Sequence, residues 1–362
     1  MNLRRIKIAG ITYTDQCNQL CLHCHNKSKN IPSHDELSMD DWKKIVINLK
    51  ALGLEFVSFG GGESFQREDF IKFVEFLRTE EIRVGVITNG YNLKRTSIPW
   101  NLFESVAVSL DYDNPDQYDT WRGKKGSFDN AIETIQFLIE HDIETEIISM
   151  LTNETANVYS LEKMFNLVNG LGIKYWKLNR YRDIGRSKDK LKLDVAPERY
   201  LNVIDWVYNK FNNVIITDSL IAALYPQIMP LHECSCSEST IRIASNGDIS
   251  PCTFLSNLVV GNAYRDNIEG IWNNSPKLCE IRNRTPKGKC KNCNVWDICK
   301  GGCFASAYLS NGDFGMPDPQ CWKVEGEDIK PSNVYQFSPM DYKASMRSYS
   351  CNIYADLKGG IK

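Results

Sequence analysis

The chain has 362 residues, room for one large domain with a small one or for two to three of ordinary size. Hydrophobic residues at 42% and charged residues at 24% suit a globular protein, and a formal net charge of -2 supplies no basic field for nucleic acid or acidic lipid. No apolar run reaches the ~18 residues of a membrane span, and Met1 to Ile8 lack the apolar core of a signal peptide, so a cytoplasmic protein without nucleic-acid or membrane partners is expected.

In chain order, short apolar segments alternate with amphipathic ones. Strands are predicted at Lys7–Tyr13, Leu54–Phe59, Ile82–Thr88, Ser105–Leu110, Ile143–Met150 and Ile173–Leu178. The first helix is capped by Ser38, carries Asp40 and Asp41 in its first turn, repeats Trp42, Ile45, Val46, Leu49 and Leu52 on one face, and closes at Gly53. Further helices are predicted from about Asp69 to Arg78, after Ser127, around Leu161 to Val168, and from Pro197. Strands alternating with helices imply a mainly parallel sheet whose loops after each strand share one rim. About six strands make an incomplete barrel with an open mouth. From Leu231 the character changes. Ser245-Asn246-Gly247-Asp248 between Ile241, Ile243 and Ile249 predicts a hairpin with a tight primed turn.

The cysteines fall in two regions. There are 13, an odd number without an export signal, which argues for metal or redox chemistry over disulfides. Three lie at Cys17, Cys21 and Cys24, and the other ten lie from Cys234 to Cys351. The first group follows the first strand and so sits on the rim. Thiolates ligate iron–sulfur clusters, and a four-iron cluster normally takes four. Three ligands leave one iron open. A zinc site with His23 or His25 as fourth ligand is the alternative.

This CxxxCxxC loop resembles that of the radical S-adenosylmethionine (SAM) enzymes. The resemblance implies that the open iron binds the amino and carboxylate groups of SAM. One electron then splits SAM to a 5′-deoxyadenosyl radical that abstracts hydrogen. It extends to Gly61-Gly62-Glu63, similar to the GGE motif on the SAM amino group, and to Thr88-Asn89-Gly90. It continues through Ser109-Leu110-Asp111 with Trp121-Arg122-Gly123 and Gly126-Ser127-Phe128. It implies that Ser109 and Arg122 contact the SAM ribose or carboxylate and that Asn89 belongs to the cofactor site. Asn179, Arg180 and Gly185-Arg186 mark a further rim segment. His25 stands where the family commonly has an aromatic residue, and could stack as that residue does. His23 reads as structural or exposed.

The later series, Cys236, Cys252, Cys290-x2-Cys293-x5-Cys299-x3-Cys303 and Cys321, resembles the SPASM domain, an extension holding two auxiliary [4Fe–4S] clusters. By that resemblance Cys290, Cys293, Cys299 and Cys321 hold the distal cluster, and Cys236, Cys252 and Cys303 the nearer one. Cys234, the substrate or nothing completes the nearer set, and Cys234 could replace Cys236. Cys279 reads as a buried apolar residue on a helix. Cys351 is left over, and either thiol could donate a hydrogen atom. The expected fold is a partial (β/α)6 barrel over residues 1–215, a SPASM domain over 216–325 and an aromatic tail over 326–362 with Tyr335, Phe337, Tyr342 and Tyr349.

The resemblance implies hydrogen abstraction from a substrate, with modification of a ribosomally made peptide leading. Oxidation, epimerisation or decarboxylation of a small molecule, a tetrapyrrole or a sugar-derived antibiotic, is the alternative. Thr253 stands where sulfatase-maturing relatives carry an aspartate base after the second SPASM cysteine, which disfavours that reaction. A flavodoxin- or ferredoxin-like electron donor is expected. The cluster loop starts near the N-terminus, so a separate small protein could supply peptide recognition. A non-catalytic iron–sulfur carrier is the reading from another class.

Overall fold

The computed structural model describes residues 4–93, 95–211, 213–225 and 234–329. The tail call on Tyr335, Phe337, Tyr342, Tyr349 and Cys351 lies outside those residues.

Seven parallel strands follow one another: β1 (Ile8–Thr12), β2 (Phe56–Gly60), β3 (Arg83–Thr88), β4 (Ser105–Ser109), β5 (Thr145–Leu151), β6 (Tyr175–Arg180) and β7 (Val214–Ile216). The helices between them are α1 (Met39–Ala51), α2 (Phe70–Thr79), α3 (Pro115–Arg122), α4 (Ser127–Glu140), α5 (Val158–Gly170) and α6 (Pro197–Lys210). Helix α1 starts where its sequence says: Ser38 Oγ accepts from Asp41 N, and the Asp41 carboxylate accepts from Ser38 N, a reciprocal cap. Its apolar face, with Trp42, Ile45, Val46 and Leu49, is buried. Beneath it Tyr13 stacks on Phe73 of α2 at 4.8 Å between ring centres.

The sheet is wider than six strands. Strand β7 pairs with β6, and on the opposite side β8 (Thr240–Ile243) pairs parallel with β1, in register Ile8 with Thr240 and Ile11 with Ile243. The antiparallel strands β9 (Asp248–Ser250) and β10 (Gly261–Asn262) complete the order β10-β9-β8-β1-β2-β3-β4-β5-β6-β7. The expected hairpin is therefore an extension of the barrel sheet. Its turn is not the primed type. Gly247 alone has positive φ (88°), and its N–H donates to Ala244 O, so an ordinary turn ends in one left-handed glycine. A primed turn would also need positive φ at Asn246.

Residues on the same face of successive strands line one cavity: Gly60, Ile87, Ser109, Ile148 and Asn179 of β2 to β6, with Thr217 just after β7. The sheet thus curls around its own carboxyl-end mouth. Below, a buried ion pair between Lys177 and Glu146 (2.8 Å) joins β6 to β5 on that same face and closes the floor.

Candidate active site

The cavity is walled on one side by the loop after β1, which carries Cys17, Cys21 and Cys24. Three neighbours fix that loop. Leu20 N and Leu22 N donate to Arg122 O and Trp121 O at the end of α3. Arg186 N donates to Cys24 O (3.0 Å) and Arg186 Nη1 to Cys21 O (3.1 Å). Gly62 N and Glu63 N donate to Thr14 O and Gln16 O. A β-carbon on Gly62 would lie 2.2 Å from Gln16 O, and one on Gly61 2.3 Å from Thr12. The two glycines of the GGE-like motif line the cavity and also admit the cluster loop itself.

Burial and the Glu63 carboxylate push the Cys17 thiol up to about 12, with Cys21 and Cys24 adding to the rise. Burial also raises Cys21, opposed by the Arg122 guanidinium. The thiols thus sense one another, none of the twelve described cysteines forms a disulfide, and all three face one cavity. Among the described residues no three His, Cys, Asp or Glu side chains converge on a single-ion site. Iron bound at these thiols would draw them into the thiolate form.

Glu63 is 1% exposed. Its oxygens accept from Thr88 Oγ1 (3.0 Å) and Asn89 N (2.8 Å), while burial lifts its carboxyl to about 7. The Asn89 amide donates to Asn18 Oδ1 (2.9 Å) and reaches Cys17 Sγ at 3.7 Å. Ser109 lines the cavity at the end of β4. Arg122, expected on the ribose or carboxylate of SAM, lines the cavity and is also engaged within the protein. Its guanidinium pairs with Asp111 Oδ2 at 2.5 Å and points at Cys21 Sγ at 3.8 Å. Of the expected rim segment, Asn179 in β6 faces the cavity, Arg180 ends that strand fully buried elsewhere, and Gly185 and Arg186 beyond it grip the cluster loop.

The later cysteines assemble into two sets. Cys290, Cys293, Cys299 and Cys321 surround a small apolar cavity with Trp296 and Trp322. Burial raises Cys290 to about 12 and also lifts Cys299 and Cys321, each further raised by neighbouring thiols. Cys236, Cys252 and Cys303 pack in one buried group with Leu255, Ile281 and Phe304, and Cys234 leans against it. Cys303 N donates to Asp318 Oδ2 (3.0 Å), and Asp318 in turn pairs with Arg180 (2.6 Å), which also holds Asp218 (2.7 Å). Cys279 is half-buried, its thiol donating to Asn273 O (3.5 Å), so its expected full burial is not seen.

Two lining residues do not figure in the sequence reading. The Arg182 guanidinium lies over the Phe254 ring at 4.2 Å, and Phe254 N donates to Cys252 Sγ at 3.5 Å. The pair forms the cavity wall toward the nearer auxiliary set. His25 faces Phe254 edge-on at 6.4 Å, while His23 stacks on Trp121 at 4.5 Å. Phe254 lies two residues past Cys252, the one sequence cue that could have found it.

Comparison with known proteins follows the same division. Residues 11–161 match the model of the radical SAM superfamily, and residues 234–294 match that of an iron–sulfur cluster-binding domain, SPASM. The chain is 29% identical over 330 residues to mycofactocin maturase MftC of Mycobacterium tuberculosis, covering 88% of this chain and 82% of that one. It is 25% identical over 334 residues to the AdoMet-dependent heme synthase of Methanosarcina barkeri, covering 85% and 94%. The fold superposes on Streptococcus suis SuiB bound to S-adenosylmethionine with a TM-score of 0.73 at 19% identity, over 88% of this chain and 78% of that one.

Proposed function

This chain belongs to the radical SAM superfamily and carries a SPASM domain, and from that membership we propose that it is a maturase modifying a ribosomally made peptide or protein. The observation that carries the reading is one cavity lined both by the Cys17–Cys21–Cys24 loop and by Arg182 with Phe254, whose N–H donates to Cys252 of the nearer auxiliary set. When bound, SAM and its [4Fe–4S] cluster supply, after one-electron reduction, a radical that takes a hydrogen atom from the substrate.

The chain's own residues do the positioning. Cys17, Cys21 and Cys24 hold the first cluster. Glu63, ionised, accepts from the SAM ammonium, and Gly61, Gly62, Asn89 and Ser109 shape that half of the cavity. Arg122 lines the cavity with them and also acts within the protein. Its charge opposes the rise of the Cys21 thiol and keeps Asp111 paired. Cys290, Cys293, Cys299 and Cys321 hold the distal auxiliary cluster, and Cys236, Cys252 and Cys303 the nearer one, with Cys234 adjacent. Residues 1–215 are the catalytic unit and 216–325 the auxiliary one, although β8 to β10 extend the catalytic sheet. The support for a peptide substrate is the relative named as a maturase. Thr253, buried, stands in place of the base that sulfatase maturation needs.

The test is anaerobic reconstitution, reduction, and a search for 5′-deoxyadenosine together with a mass change in a short peptide encoded beside the gene. Iron near twelve per chain, about four for each of three clusters, is expected. Fully loaded, reduced protein that never cleaves SAM would return the chain to the electron-carrier reading. A tetrapyrrole is the second substrate to supply, because a heme synthase is among the relatives. Turnover of it without any peptide product would replace the maturase reading.

A further inference from the structure

The cluster loop has two faces. Its thiols line the cavity, whereas Leu20 and Leu22, flanking Cys21, are 52% and 38% exposed on the other side. The backbone bonds of both leucines to the end of α3 turn them outward. Beneath Leu20 lies a shallow depression lined by Lys27, Lys29, Arg186, Lys188 and Lys190. Lys124 and Lys125, also exposed, follow Gly123, where a β-carbon would lie 2.5 Å from Leu20 O. Asp189 is the one acid lining the depression. Lys27, Lys29, Lys188 and Lys190 are exposed and in no ion pair among the described residues. Two separate segments, 27–29 and 186–190, thus bring five cations against one acid to one depression, with Lys124 and Lys125 nearby in the chain after Gly123, on a protein whose net charge is -2.

Solvated lysines are common, and a lone lysine here would mean nothing. Two facts set this patch apart. It is convergent, and it lies against the one loop that separates the thiols from solvent on this side. The loop presents its thiols to the cavity and its two leucines to solvent, so a donor seated on the leucines meets the thiol-bearing loop from its outer face. We propose that the depression docks an acidic one-electron carrier protein, its negative rim on the lysines and its apolar tip on Leu20 and Leu22. At each encounter the carrier is oxidised by one electron and the iron site behind the loop is reduced by one, with no proton or atom exchanged. The proposal rests on the radical SAM reading above. Complementary charge raises encounter rates and loses its effect as salt screens it.

The experiment compares reconstituted holoenzyme with a variant combining Lys27→Glu, Lys29→Glu, Lys188→Glu and Lys190→Glu, and with the corresponding Lys→Gln variant. None of the four lines the cavity. 5′-Deoxyadenosine formation is measured with two reductants: a reduced acidic bacterial flavodoxin, and reduced methyl viologen, a small cation that needs no docking site. At low salt the flavodoxin-supported rate of the Glu variant falls about tenfold or more, the Gln variant falls less, and the salt dependence seen in wild type flattens. The viologen-supported rates stay equal. A flavodoxin rate within about twofold of wild type overturns the proposal, whatever the variant does to peptide binding. So does a parallel fall with both reductants, which would make the lysines supports of the loop. Wild type inert with viologen would instead sink the functional reading underneath.

Discussion

The two cysteine regions are built in opposite ways. The first puts three thiols within eight residues on one rim loop, facing a cavity and backed by solvent. The second gathers its thiols from several segments far apart in sequence, mostly buried, and ties them to the barrel through Asp318 and Arg180. The first loop is open on both faces, to the cavity and to solvent, while the second set is largely enclosed. The difference teaches that sequence spacing carries the first site almost alone, while the second depends on the fold being complete.

The largest effects should separate the two regions outright. Cys21→Ala is expected to reduce SAM cleavage to background while leaving roughly eight irons per chain in the auxiliary sets. Cys290→Ala is expected to lose auxiliary iron and peptide turnover but to keep SAM cleavage. Iron analysis with 5′-deoxyadenosine assays reads both, and a Cys21 variant that sheds all iron would erase the distinction.

Next in size is the tie between the regions. Arg180 is 1% exposed and its partners Asp218 and Asp318 are buried with it. Arg180→Met leaves buried Asp318 without its ion-pair partner and Asp218 with only Arg182 at 3.6 Å, a cost of about 3–5 kcal/mol. Chemical denaturation of the holoenzyme should show it, with auxiliary iron lost before the first cluster. Unchanged stability would mean that the auxiliary cysteines do not depend on the barrel for their footing.

A smaller effect tests the cavity side by pH. Burial holds the Glu63 proton up to about 7, above the ordinary carboxyl value of 4.5, so the folded protein binds it more tightly than the unfolded chain. Without SAM, that contribution to stability is complete below about 4.5 and is lost as pH rises through about 7. SAM, whose ammonium favours the ionised carboxylate, should therefore stabilise the protein more at pH 8 than at pH 6. Thermal shifts with and without SAM measure the difference. If Glu63→Gln keeps the same pH dependence, the carboxylate is not the ammonium partner. The smallest effect is a control. Ser38→Ala removes the α1 cap at about 1 kcal/mol and should leave both regions' iron unaltered.

Much of this was legible beforehand because periodicity is a local signal. The strand and helix faces from Ile8 to Lys210 follow the alternation of their residues, and CxxxCxxC needs only eight positions. What stayed hidden depends on distant partners. The β1–β8 pairing joins Ile8 to Thr240, and nothing near either residue announces it. Three-residue β7 is too short for a pattern. Arg122 was read through a motif as a cofactor contact and does line the cavity, but its pairing with Asp111 and its approach to Cys21 belong to the fold. Arg182 and Phe254 meet across 72 residues of chain, and their stacking belongs to the fold alone.

The pairing of β1 with β8 also bears on how the protein is made. Among the described strands, β1 leaves the ribosome first, yet one of its edges waits for residues 240–243. At synthesis rates of ~5–20 residues per second, that edge stays open for roughly 10–50 s. An unpaired strand edge invites pairing with other chains. Slowing translation upstream of residue 240, or truncating the chain after α6, should therefore raise aggregation even though every cysteine of the first loop is already in place.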